Sequence, residues 1–496
     1  MMKNHVGIAA RLSKTASNAA TTGLKRTTLA ALTALAFAAV PATSAFAQAA
    51  PGAAAAIAAT QSPQAQALHA QIDQRAKAIE KQLIAWRRDI HEHPELGNLE
   101  TRTSGLVADH LRKLGMEVKT GVAVTGVVGL LKGAKPGPVV ALRADMDALP
   151  VKEQVDVPFA SKAKGVYLGK EVDVMHACGH DTHVAMLMAT AEVLAGMKDQ
   201  LPGSVKFIFQ PAEETPATFE PDGEKIWGAK QMIKEGAMQN PKVDAVFGLH
   251  VSSAYPAGWI AWRPGPAMSA VDQFWIDVTG KQTHGARPWS GIDPIVASAQ
   301  IITGIQTIVS RQSNIALEPA VVTVGAINGG NRMNIIPEKV SMIGTIRTYD
   351  EGMKKDIHKR LATTAEHIAE SSGAKANVKV VELYNAVVNP ADLVAQMGPT
   401  LERVAGKGNY GLQPKSSASE DFSFYQQEAP GMFFYLGVTP KDKDPNTAPN
   451  NHSPLFFADE SAMIYGVRAL SNMEIDSMPP PHTQSAPHPT PRAGPL

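Results

Sequence analysis

The succession of hydrophobic patterns along this 496-residue chain predicts an α/β fold, in which a mixed-sheet unit is interrupted by an inserted two-layer α+β domain of βαββαβ order. Three observations carry that prediction. Short, largely apolar strands at 139–143, 205–209 and 243–249 alternate with helix-patterned segments and run into acidic or imidazole residues. That is the expected arrangement where functional groups gather at the carboxyl ends of strands in an open α/β sheet. From about Ser269 the pattern changes to period two, with Phe274, Ile276 and Val278 on one face of a half-exposed strand. Near residue 385 the first pattern returns, which makes the middle segment an insertion.

Composition narrows the class. A hydrophobic content of 44% and a charged content of 19% fit a globular chain with more than one core, and a formal net charge of +1 gives no basis for nucleic-acid binding. At the N-terminus Lys25-Arg26 precedes an apolar run from Leu29 to Val40, then Pro41 and Ala45-Phe46-Ala47. This is a secretory signal pattern with cleavage after Ala47, and the run is too short to span a bilayer, so no stable membrane insertion is expected after cleavage. Residues 1–47 carry five basic residues and no acidic one, so their removal takes the charge from +1 to about −4. A periplasmic or secreted protein is expected.

The elements follow in order. Residues 48–66, rich in Ala, Gln and Pro, predict a flexible lead-in. Leu68, Ile72, Ala76, Ile79, Leu83, Trp86 and Ile90 recur at helical spacing, and Pro94 would end that helix. The cluster His91-Glu-His-Pro-Glu95 lacks the spacing of a metal-binding helix and is expected in a supporting wall. A second helix at 101–114 leads to strands near 116–118, 124–131 and 139–143. Alternation would place Asp145 and Asp147 on one side if the strand continued, whereas a turn would leave only one facing the site. After a long loop, an Ala- and Leu-rich helix is expected over 184–197, a strand over 205–209, a polar loop over 215–227 and a helix over 228–236. The strand at 243–249 should end at His250. In the insertion, helices at 294–309 and 353–371 alternate with strands at 320–327, 339–349 and 376–382. The last part has a helix at 422–427, a strand at 431–436 and a helix at 460–473, then a Pro- and His-rich segment expected to be disordered. The divisions are thus 1–47, 48–66, 67–267, 268–384, 385–475 and 476–496.

The chemistry concentrates in Met175-His-Ala-Cys-Gly-His-Asp-Thr-His183, which places His176, Cys178, His180 and His183 close together around the chain's only cysteine. A lone cysteine is usually a small buried hydrophobe, but flanking imidazoles and acidic pairs at other strand ends point to metal ligation. Collected in space, Cys178, His180, Glu214, His250 and His452 would supply thiolate, carboxylate and imidazole to two divalent ions, and a thiolate can bridge two ions. Zinc or manganese leads, with cobalt and nickel also admitted by this mixed donor set. Adjacent Glu213 and Glu214 divide naturally into a base and a ligand. Asp181 could orient an imidazole as an acceptor. A serine mechanism fares poorly because the chain lacks Gly-x-Ser-x-Gly.

The motifs Ala144-Asp-Met-Asp-Ala-Leu-Pro150, His176-Ala-Cys-Gly-His-Asp181, Gln210-Pro-Ala-Glu-Glu214 and Asn451-His-Ser-Pro454 occur in this order. From Leu83 to Met473 the chain resembles the metal-dependent aminoacylase and carboxypeptidase superfamily, in its amidohydrolase branch of hippurate hydrolases, N-acyl-amino-acid hydrolases and auxin-conjugate hydrolases. The resemblance implies a metallopeptidase-like catalytic domain with an inserted dimerisation or lid domain. It implies Cys178 as bridging ligand, with His180, Glu214, His250 and His452 completing the set, Glu213 as general base and Asp147 as the carboxylate that tunes the site, and it makes His176, Asp181, His183 and Asp145 candidates for orienting the ligands. His284 matches a histidine that reaches a neighbouring subunit's site to stabilise an oxyanion, and Asn334 and Arg347 match residues that clamp a substrate carboxylate. The polar stretch 215–227 departs from the short glycine-rich link usual in that branch.

The implied reaction is hydrolysis of an N-acyl or N-aroyl amino acid, without a covalent intermediate, by a homo-oligomer built of dimers. The alternatives are a carboxypeptidase or dipeptidase on short peptides, release of acetate from N-acetylated diamines, or an exported binding protein that retains the fold.

Overall fold

The computed structural model describes residues 62–219 and 225–477, so the expected signal segment, most of the expected lead-in, the middle of the polar loop and the tail beyond 477 lie outside the described residues. Helix α1, Pro63–Glu92, starts before the expected Ala67. The Ser62 side chain accepts from Ala65 N at its start, and Pro63 suits a first helical position because no N–H partner is needed there. Helix α2, Thr101–Lys113, and strands β1, Glu117–Val122, β2, Gly126–Lys132, and β3, Lys135–Asp145, follow in the expected order. The long loop before Met175 contains a hairpin, β4, Lys164–Tyr167, and β5, Lys170–Asp173. Its polar, half-exposed strands gave no hydrophobic signal.

Helix α3, His180–Ala195, begins at His180 rather than Val184, so the end of the central motif is its first turn. Gly179 permits this: its φ is +96°, and a Cβ there would lie 2.4 Å from Val251 Cγ2. Strand β6, Pro202–Gln210, helix α4, Gly228–Lys234, and strand β7, Ala245–Pro256, complete the first half. β7 runs through His250, which the sequence placed at a strand end. Its pairing with β3 stops at Gly248, however, so His250 lies beyond the reach of that neighbour.

Strands β8, Ile260–Trp262, and β9, Gly265–Met268, lead into the insertion. This comprises β10, Ala270–Thr279, β11, Thr283–His284, α5, Pro294–Thr307, β12, Val321–Gly329, β13, Ile335–Ile336, β14, Lys339–Thr348, α6, Glu351–Ser371, and β15, Lys375–Tyr384. The return path is β16, Val387–Asn389, α7, Ala391–Ala405, β17, Tyr410–Leu412, α8, Phe422–Glu428, β18, Gly431–Thr439, and α9, Met463–Ser477. Helix α7 was not expected, and it carries Pro399 within it. The predicted tail boundary at 475 falls inside α9: Asp476 is buried and bonds His69 Nε2 and Thr400 Oγ1, each at 2.7 Å.

An eight-stranded sheet runs β1-β2-β6-β3-β7-β18-β8-β17. Its central strands β6, β3, β7 and β18 are parallel and its flanks include antiparallel pairs. Alternation along β3 sends Val140, Leu142 and Ala144 into the core under α1, α3 and α9, and Ala141 into the core on the other face with Val246 and Phe433. The insertion forms an antiparallel sheet ordered β12-β14-β10-β15, with α5 and α6 packed on one face through Phe274, Ile276, Ile301, Ile305, Ile357 and Leu361.

Candidate metal centre

The parallel strands aim their carboxyl ends at one place. Cys178 lies in the turn before α3, Glu213 and Glu214 follow β6, and His250 leaves β7 past the end of β3. The loop after β18 brings His452. Asn451 binds that loop down, its Nδ2 donating to Cys178 O at 2.9 Å and Val251 O at 3.1 Å, while His452 N donates to Ala177 O at 2.8 Å. His452 itself has φ +72°, a strained conformation for a non-glycine residue and one held by these bonds.

The resulting geometry is specific. Cys178 Sγ lies 3.3 Å from His250 Nε2 and 3.2 Å from His452 Nε2, and His452 Nε2 lies 2.7 Å from Glu214 Oε1. Among the described residues five groups have ligand atoms mutually within 4.8 Å: Cys178 with His180 and His250, Cys178 with Glu214 and His452, His180 with Glu213 and Glu214, Asp145 with His180 and His183, and Glu213 with Glu420 and Asp421. His180 Nδ1 donates to Asp147 O at 2.8 Å and His250 Nδ1 to Val251 O at 2.6 Å. A carbonyl only accepts, so both rings keep the Nε2 lone pair for the site. His180 Nε2 is buried with no hydrogen-bond partner among the described residues.

Electrostatics test whether cations fit. Burial opposes protonation of His180, yet Asp145 and Asp147 overcome this and draw its pKa up to about 10. A proton on the orphaned Nε2 would have no acceptor, whereas a divalent cation satisfies both the lone pair and the demand for positive charge. Burial, with Glu214 and Glu213 nearby, pushes the Cys178 thiol well up, and a cation is what such a thiol needs to ionise. Burial also raises Glu214, but its bond to His452 outweighs this and holds it below the ordinary value. Glu213 is pushed well up by burial and then by Glu420, Glu214 and Asp421. The donor set therefore fits a pair of divalent ions.

The supporting residues divide more sharply than the sequence suggested. Asp145 and Asp147 both approach His180 Nδ1, at 3.8 and 3.3 Å, but their principal bonds differ. Asp145 accepts from His183 Nδ1 and Arg143 Nη1, each at 2.6 Å, and Asp147 accepts from Glu213 N at 3.0 Å and Glu214 N at 2.9 Å. His183 Nε2 accepts from Val251 N at 2.9 Å, so both its nitrogens are occupied. Asp181 supports no ligand imidazole. It binds Arg87 and His91, each at 2.8 Å, and fixes α3 to α1. His176 is buried, burial drives its pKa down to about 3, and neither ring nitrogen has a partner among the described residues.

Several residues near the site were not singled out from sequence. Arg143 is fully buried among Asp145, Glu420 and Asp421, and Gln210 bonds Asp421. Glu100, drawn up to about 8 by burial and Asp147, accepts from Ala212 N at 2.8 Å. Tyr384 Oη donates to Glu213 O. The charged Arg143 inside an apolar strand and the Glu420-Asp421 pair before α8 were the available signals; Glu100 and Tyr384 offered none.

A cavity of about 650 Å³ opens over the centre, bordered by Tyr255, Met268, Arg347, Tyr384, Ser419 and Tyr435 among others. Arg347 Nη1 donates to Ser419 Oγ at 2.7 Å. His284 and Asn334 are not in its lining. They sit together on the insertion, where Gly285 N donates to Asn334 O at 2.8 Å, and His284 is exposed.

The sequence profile of "Peptidase family M20/M25/M40" matches residues 141–473. "Thermostable carboxypeptidase 2" of Saccharolobus solfataricus is 45% identical over 398 residues, covering 80% of this chain and 95% of the relative. "N-acetyl-L-cysteine deacetylase" of Bacillus subtilis is 37% identical over 386 residues, covering 78% and 85%. Among solved structures, a Bacillus subtilis protein described as a dinuclear metal binding peptidase from the M20 family superposes with a TM-score of 0.66 at 32% identity, covering 80% of this chain and 98% of that one.

Proposed function

Because the chain belongs to peptidase family M20/M25/M40, we propose that it is a metal-dependent amidohydrolase that cleaves N-acyl or N-aroyl amino acids to a carboxylic acid and a free amino acid. The observation that carries this reading is the sharing of Cys178 between two ligand groups, one with His180 and His250 and one with Glu214 and His452, with Glu213 alongside. In this reading those five residues hold two divalent ions, zinc or manganese first and cobalt or nickel as alternatives. When bound, the ions supply Lewis acidity and lower the pKa of water. Glu213 takes the proton from the attacking water and delivers it to the leaving amine, and its burial-raised proton affinity suits both halves of that task. Asp147 holds the Glu213 and Glu214 amides and so fixes base and ligand together.

The substrate assignment rests on the cavity's charge and on the relatives. Among the described residues Arg347 bonds only Ser419 Oγ and Ser417 O, which leaves a guanidinium in the cavity wall without a carboxylate partner. A free amino-acid carboxylate suits it, and a cationic N-acetylated diamine does not. The deacetylase relative favours acyl amino acids, while the carboxypeptidase relative supports a second reading, hydrolysis of short peptides by the same groups.

We further propose that His284 and Asn334 serve the site of a second subunit. His284 is exposed, and Trp289 and Met333 nearby are 79% and 101% exposed, a surface suited to pairing. Export with cleavage after Ala47 is likewise proposed; a mature mass that still includes residues 1–47 after expression in a bacterial host would refute it.

The deciding experiment presents the metal-loaded protein with N-acetyl and N-benzoyl amino acids, dipeptides and N-acetyl diamines, with products read by mass and metals measured on the same sample. Acyl amino acids should turn over fastest, with two ions per chain. Faster dipeptide cleavage would favour the peptidase reading. No turnover on any of them would favour a binding protein.

A further inference from the structure

We infer that Tyr384, at the end of β15 in the insertion, is a positioning residue that sets the peptide between Glu213 and Glu214; this rests on Glu213 acting as base. The two glutamates share one peptide group, and that group is held from both sides. Its N–H, on Glu214, donates to Asp147 Oδ2 at 2.9 Å, and its C=O, on Glu213, accepts from Tyr384 Oη at 2.5 Å. Asp147 belongs to the mixed sheet's unit, whereas Tyr384 closes the insertion, where it pairs with Val271 at the far end of the β10–β15 ladder. Rotating this peptide turns both carboxylates at once, because each side chain hangs from one of its flanking Cα atoms. The preceding residue, Ala212, has φ +49° and is braced by Glu100, so the turn does not relax freely if the clamp is loosened.

The phenol is built to donate. Burial and the nearby Glu213 push its pKa well up, so it keeps its proton at any working pH. Its ring packs edge-on to Phe424, with centroids 6.3 Å apart. Trp227 Nε1 donates to the Tyr384 oxygen at 3.4 Å, and Trp227 stacks edge-on with Phe219 at 4.7 Å. Phe219 and Trp227, at the two sides of the polar 215–227 stretch, are thereby linked to the same hydroxyl. The position of the insertion and these two aromatic side chains therefore converge on one peptide bond, through one oxygen.

The test is Tyr384→Phe, which removes the donor and keeps the ring. The expected kcat loss is about tenfold, with KM within about threefold, as for other groups that orient ligands from behind. In a Glu213→Asp background the same substitution should cost less than about twofold, since two changes acting through one carboxylate are not additive. An equal loss in both backgrounds, or unchanged kcat in Tyr384→Phe, overturns the proposal. Trp227→Phe is the check if Tyr384→Phe does not fold: it should lower kcat about twofold in the native protein, and wild-type kcat in that variant counts against the clamp. If Glu213→Gln keeps full turnover, it is the base assignment that fails; if Glu213→Gln is inactive while Tyr384→Phe is unimpaired, only this inference fails.

Discussion

At the carboxyl ends of β3 and β6, Arg143, Asp145, Asp147 and Glu213 are all buried and each is tied to a named partner, whereas in the insertion Trp289, Leu317 and Met333 stand in the open. The first region is over-determined. His180, His183 and His250 each spend a ring nitrogen on a fixed acceptor, so their remaining atoms have no freedom to choose. The second region is compact under its helices but leaves apolar side chains exposed on the other face of its sheet, with Val321 on edge strand β12 and Ile343 on β14 at 46% and 38% exposure. One region is held by hydrogen bonds from within the chain. The other holds exposed side chains outside that network, and Tyr384 is a place where the two regions touch.

That contrast can be broken by experiment. The largest effect is expected at the buried centre: Glu213→Gln should lower kcat by about 10³-fold or more while the protein stays folded and keeps its metal. A variant that loses metal along with activity would instead make Glu213 a ligand. Chelation should likewise abolish turnover and lower the thermal midpoint, with both restored by divalent ions.

The insertion predicts a smaller loss with a different signature. His284→Ala should reduce kcat about 10²-fold, the usual scale for losing one oxyanion donor. Mixing His284→Ala chains with Glu213→Gln chains should then recover activity, because a mixed dimer holds one site with an intact base and a partner's intact histidine. Failure to recover after subunit exchange would place His284 in its own chain's service, or in none.

The smallest effect is expected on α9. Glu474 on α9 is fully buried, and neither carboxylate oxygen has a partner among the described residues. Burial raises its pKa in the folded protein well above the ordinary 4.5. Its stability contribution is therefore full below that value and is lost as pH rises toward the folded pKa. Glu474→Met should raise stability at neutral pH by about 1 kcal/mol, with the gain shrinking on acidification, as read from thermal midpoints at several pH values. A pH-independent difference would mean that the carboxyl is already satisfied.

Much of the fold was legible because its strands are buried on both faces and read as continuous apolar runs, while β10 alternates and shows its half-exposed face. What escaped notice had weak patterns. The β4–β5 hairpin is polar and short, and α7 contains Pro399, which argues against a helix to any local reading. The start of α3 at His180 depended on Gly179 adopting φ +96°, a backbone choice that no side-chain pattern announces.

By itself the sequence determined which residue types could meet. One cysteine, flanked by histidines and followed by a glutamate pair and two distant histidines, restricts the chemistry to metal-ligand donors, because those side chains carry the needed lone pairs wherever they are placed. Only the tertiary structure decided how the roles divide. His183 and His180 both belong to the first turn of α3, yet Val251 N occupies the Nε2 of His183 and leaves that of His180 empty. Asp181, adjacent in sequence to His180, turns away to Arg87, and Tyr384, distant in sequence from Glu213, grips its carbonyl. Hydrogen bonds are short and directional, so the choice between ligand and support is made within a few ångströms, a distance that spacing along the chain does not encode.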